Sequence, residues 1–119
     1  LALSDAPRRG DLVTIAMSVD YGKPRPALVI QSDAFIDLPS VTVLRMTSEQ
    51  HDWPLLRVSV RPSIENGLRN PSQIMIDKAA TVPRAKLGPS FGRLEPDVMR
   101  SVDRALRLFL SLDEAAPTC

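Results

Sequence analysis

The sequence predicts a mainly β fold that ends in one helix, an α+β chain of a single domain. Two observations carry this. Five short runs rich in Val, Ile, Leu and Thr follow one another between residues 11 and 77, separated by Pro, Gly and Asn. After them comes one long segment, 95–112, whose apolar residues recur every three or four positions.

"DLVTIAMSV" (11–19) alternates imperfectly and is rich in β-branched residues, so it predicts the first strand. "RPALVIQ" (25–31) is a nearly continuous apolar run, as in a strand buried on both faces. "SVTVLRMT" (40–47), "LLRVSV" (55–60) and "SQIMID" (72–77) predict three more. Asn66-Gly67 marks a turn between the last two, since both residues tolerate positive φ. From Ala79 to Gly92 two prolines predict a loop with room for one short strand. In the final helix Pro96 suits the first turn and Asp97 its positive end. Val98, Val102, Leu106 and Phe109 form the apolar stripe, widened by Met99 and Leu110. The domain is expected over 8–113, with tails at 1–7 and 114–119.

Composition narrows the function. The 119 residues are 44% hydrophobic but only 4% aromatic, so the core must be aliphatic. Fifteen Lys and Arg against 14 Asp and Glu leave a net charge of +1, so any basic site must be a local cluster. A lone cysteine, Cys119, forms no internal disulfide and fits a reducing cytoplasm. No apolar run approaches the ~18 residues of a membrane span, and "LALSDAPRR" lacks the apolar centre of a signal peptide. One His and one Cys offer poor material for a zinc site, and no Gly-rich phosphate loop is present. No metal or cofactor is expected. A nucleophilic triad would need His51, which has no evident orienting partner in its polar loop.

What remains is Arg25, held between Pro24 and Pro26, together with Thr47 and Asp77, which each end a predicted strand. Proline fixes its own φ and restricts the residue before it, so Arg25 lies on stiff, extended backbone. Each has a structural rival reading. Arg25 could pair with a carboxylate, Thr47 could serve the strand, and Asp77 could brace a turn. Trp53 could stack on a base or cover the edge of the core.

At these residues the chain resembles the MazF/PemK family of toxins. "RGDLVTI", "GKPRPALVIQSD", "VTVLRMTS", "NGLRNPSQIMIDK" and "FGRLEPDVMRSVDRALRLFL" follow the family's motifs in order and spacing, from about Arg9 to Leu112. The resemblance implies a small, twisted, SH3-like β-barrel with the C-terminal helix packed on it, and a homodimer. It implies metal-independent, sequence-specific cleavage of single-stranded RNA, with Arg25, Thr47 and Asp77 as catalytic residues. Lys23, Ser48, His51 and Trp53 would then contact RNA. The implied partner is a cognate antitoxin whose acidic, disordered C-terminal segment fills the RNA groove. Two positions depart from the family: Val13 stands where tryptophan is frequent, and Met75 where some members carry arginine. The alternative from another class is a non-catalytic toxin resembling the CcdB type, which binds DNA gyrase. That type ends in an exposed Trp-Gly-Ile tail, whereas this chain ends "DEAAPTC".

Overall fold

Prolines, glycines and a long bulge shape the sheet as much as its apolar strands do. The computed structural model describes residues 6–16 and 23–112. Its strands are β1 (Asp11–Ala16), β2 (Pro24–Val29), β3 (Ser40–Thr47), β4 (Arg57–Val60), β5 (Ser72–Pro83) and β6 (Ser90–Arg93), followed by helix α1 (Pro96–Phe109). They form one antiparallel sheet in the order β4-β5-β3-β2-β1-β6. The sheet curls into a half-barrel. Residues 17–19 of the first predicted strand, residues 1–5 of the predicted 1–7 tail, and the whole predicted 114–119 tail with Cys119 lie outside the described residues.

The two faces of the sheet carry separate aliphatic clusters. Leu12, Leu28 and Leu44 stand side by side across β1, β2 and β3, since Leu12 pairs Leu28 and Leu28 pairs Leu44. With Ile74, Ile76, Met46 and Val60 they receive Val102 of α1, flanked by Val98, Met99, Ala105 and Leu106. Val13, Ile15, Ala27, Val29, Val41 and Val43 fill the other cluster. Each fully buried side chain of this size contributes about 1.5–3 kcal/mol. Burial on both sides of β2 follows the apolar run in the sequence: Ala27, Leu28 and Val29 are all buried.

Three expectations are corrected. The fifth strand does not end at Asp77 but runs to Pro83, because its second half, through Ala79–Val82, pairs with Val41–Leu44 of β3. Between Leu44↔Ala79 and Met46↔Ile74 the register advances two residues on β3 and five on β5, a large bulge centred on residues 75–78. Of the expected 79–92 loop, only the turn at Arg84–Lys86 and its flanks remain before β6. The apolar stripe of α1 also leaves the core early. Phe109 and Leu110 are about half exposed.

An irregular segment closes the gap between edge strands β4 and β6. Arg93 N donates to Glu65 O at 2.8 Å, fastening residues 61–68 along β6. Gly67 sits at φ +70, as its turn requires. Gly92 lies so close that a Cβ there would stand 2.1 Å from the Asn66 carbonyl oxygen. Asn66 is fully buried and saturated. Its Oδ1 accepts from Ser63 N and Leu68 N, and its Nδ2 donates to Arg61 O and to the Glu95 carboxylate.

Candidate active site

The two prolines around Arg25 open the sheet. Ile30 N donates to Thr42 O, so the even-numbered residues of β2 direct their amides toward β3. Pro24 and Pro26 are even-numbered and have no N–H to give. The β2–β3 ladder accordingly runs only over Ala27–Val29, while β2 stays paired to β1 back to Pro24. Extending the β2–β3 register by two residues sets Arg25 opposite Thr47. There the strands part, and an open cleft of about 760 Å³ occupies the space.

Arg25, Thr47, Ser48 and His51 all line this cleft. So do Arg45, Arg57 and Arg69, with Glu49 the one carboxylate among the described lining residues. A chain of net charge +1 thus concentrates four arginines in one concavity, the local cluster that its composition required. Thr14, Met75 and Phe91 also line it. Lys23 is exposed just before β2 and is not part of the lining.

His51 is fixed by a side chain that imitates a strand. Gln73 Oε1 accepts from His51 N at 3.1 Å, and Gln73 Nε2 donates to His51 O at 3.0 Å. The His51 ring stacks on Trp53 with centroids 4.0 Å apart and planes 8° from parallel. The Arg57 guanidinium also lies against Trp53, 4.9 Å from its ring centre. Trp53 is outside the cleft lining and about half exposed, and it backs two residues that are inside.

Asp77 lies in the β5 bulge, which re-aims its carboxylate toward β4. Arg57 Nη1 donates to Asp77 Oδ1 at 2.7 Å, and Lys78 Nζ stands 3.7 Å from Oδ2. Partial burial works against the ionised form of Asp77. The hydrogen bonds from Arg57 and from its own backbone, with the charges of Arg57 and Lys78, prevail, and the carboxyl titrates below the usual aspartate value. Asp77 is not in the cleft lining. Arg57, directly opposite Met75 in the β4–β5 ladder, is the functional candidate that the sequence reading missed. Its signal was present: an arginine inside the apolar run "LLRVSV" needs a carboxylate partner once that run is buried.

No three His, Cys, Asp or Glu side chains gather to hold a metal ion among the described residues. No helix among them is long and apolar enough to cross a membrane.

The sequence model of the PemK-like, MazF-like toxins of type II toxin–antitoxin systems matches residues 8–110. The chain belongs to this family. A curated relative, the probable endoribonuclease MazF of Mycolicibacterium smegmatis, is 47% identical over 106 residues, 88% of this chain and 97% of the relative. The fold is that of solved MazF toxins. An endoribonuclease from a mycobacterial species, in complex with its cognate antitoxin, superposes with a TM-score of 0.77 at 24% identity, covering 91% of this chain and 98% of that one. The MazE–MazF complex of Deinococcus radiodurans gives 0.72 at 20% identity, covering 88% and 95%. Family membership places this chain among toxin endoribonucleases, beside its M. smegmatis relative.

Proposed function

We propose that this toxin cleaves single-stranded RNA in the β2–β3 cleft, without a metal, by attack of the substrate's own 2′-hydroxyl. What supports the reading is that Arg25 and Thr47 line one cleft together with three further arginines. The 2′-oxygen bonds to the adjacent phosphorus and gives up its proton. The bond from phosphorus to the 5′-oxygen breaks, and that oxygen takes a proton. The products are a 2′,3′-cyclic phosphate and a 5′-hydroxyl. Arg25 supplies a permanent, planar charge to the phosphate oxygens as negative charge grows there. The Thr47 hydroxyl donates a hydrogen bond to the same group. Its oxygen already accepts from Glu49 N at 3.0 Å, which leaves its hydrogen for a ligand. Asp77 fits a role in orienting a cation better than one as proton acceptor, since the Arg57 bond favours its ionised form and occupies Oδ1.

The toxin is taken to act in the cytoplasm as a two-fold homodimer. Its antitoxin is expected to lay an acidic, disordered C-terminal segment in the arginine-lined cleft and so occupy the place of the RNA backbone. A gyrase-binding role of the CcdB type is disfavoured by the match to the MazF-like family over residues 8–110. One experiment tests the chemistry: a cleavable oligonucleotide is compared with a copy carrying a single 2′-deoxy residue at the cut, each with and without chelator. Cutting of the ribo form in chelator, with the deoxy form bound but whole, is expected. Normal cutting of the deoxy form, or inhibition by chelator, refutes the mechanism.

A further inference from the structure

Arg57 is an unusual wall for an RNA cleft. Its side chain is only 6% exposed, and it is clamped before any ligand arrives. Nη1 donates to Leu56 O at 3.0 Å and to Asp77 Oδ1 at 2.7 Å. Nε is sealed from solvent with no partner. The guanidinium plane rests against Trp53. Among the described residues Nη2 has no acceptor and, unlike Nε, it is not sealed off, which leaves it a donor for a ligand.

This arrangement suits a base better than a phosphate. Asp77 already balances the charge of Arg57, so the clamped guanidinium contributes direction more than field. The other arginines of the lining supply the field. A directional N–H donor finds its match in an acceptor on a base edge, a carbonyl oxygen or a ring nitrogen, and the positions of these acceptors differ among the four bases. The His51 ring, fixed by Gln73 and stacked on the same Trp53, offers a face for a base beside that donor.

We infer that Arg57, clamped by Asp77 and backed by Trp53, is a specificity-determining residue that donates from Nη2 to an acceptor on a base edge and so selects, at one position of the RNA, the bases that place an acceptor there. Asp77 is then a positioning residue that acts through Arg57. The inference rests on the endoribonuclease reading above.

The test is digestion of a random-sequence RNA pool by wild type, Arg57→Met, Arg57→Lys and Asp77→Asn, with the cut sites sequenced and melting temperatures measured in parallel. Wild type should show one position near the cut where the bases without a suitably placed acceptor are depleted roughly tenfold or more, the scale of a hydrogen bond from a charged donor. Arg57→Met should erase that depletion while preferences at other positions persist. Asp77→Asn, which keeps the acceptor but loosens the clamp, should fall between. If Arg57→Met does not fold, Arg57→Lys decides, since it keeps the charge and loses the planar fork, and the depletion should weaken. An unchanged profile in the folded variants overturns the inference, as does an equal loss on every sequence, which marks a phosphate or structural role. Failure of wild type to cut any RNA would instead refute the endoribonuclease reading.

Discussion

Asn66→Ala should cost more stability than any conservative change in the aliphatic core, although the residue lies in an irregular segment. The asparagine is fully buried. Removing its amide strips partners from Ser63 N, Leu68 N, Arg61 O and the Glu95 carboxylate. At about 1 kcal/mol for each, the loss is roughly 3–5 kcal/mol, a large part of the stability of a domain this size. The same change should reach the cleft, because Gly67, Leu68, Arg69 and Asn70 form one of its walls. Urea titration at neutral pH measures the stability. Glu95 adds a pH signature. Burial opposes its ionised form, but hydrogen bonds from Ser63, its own backbone and Asn66 outweigh burial and lower its pKa. The stability it contributes is therefore present above the ordinary glutamate value and is lost as pH falls through the lowered one. The gap between wild type and Asn66→Ala should narrow on acidification. A variant within about 1 kcal/mol of wild type, or a gap indifferent to pH, would refute the reasoning.

Arg25→Ala should reduce RNA cleavage by about 10²–10³ while melting like wild type; Arg25→Lys should rescue poorly, because an ammonium lacks the planar fork. Thr47→Ala should give a smaller loss in the same assay. Gly92→Ala should destabilise by well more than the ~0.5 kcal/mol of a surface change, read by thermal melting, because its Cβ would collide with the Asn66 backbone. Wild type should lose stability as pH falls through the lowered Asp77 value, since a depressed carboxylate stabilises only while ionised. In Asp77→Asn that part of the acid sensitivity should vanish from denaturant midpoints measured across pH.

The strands and the helix were legible in the sequence wherever one local pattern decided them. β3 runs over Ser40–Thr47, as its alternation predicts, and Pro96 opens α1. β5 was cut short because Ala79–Val82 lack a strong apolar pattern; they are held by pairing with β3, a non-local effect that no window of sequence contains. The helix stripe showed which residues could be apolar neighbours, but not which of them this chain's own core would cover, so the exposure of Phe109 and Leu110 was not legible. At the site, Arg25 stood out because its prolines are adjacent in sequence. Arg57 did not, because its meaning comes from Asp77, twenty residues away and brought close only by the bulge. Gln73 is silent for the same reason: its grip on His51 exists only after two strands have met.

The position of β6 has a consequence in time. The strand is made near the end of the chain but adds to the sheet beside β1, near its beginning, and Asp11 waits for Arg93. Such distant pairings form late, because a long loop must close before they gain anything. The cleft wall likewise draws on residues from Thr14 to Phe91. A chain that stops short of β6 keeps the β1–β2 pair holding Arg25, yet it lacks the seam that fixes residues 61–68 and the wall they support. A complete cleft therefore belongs only to a chain that extends through β6.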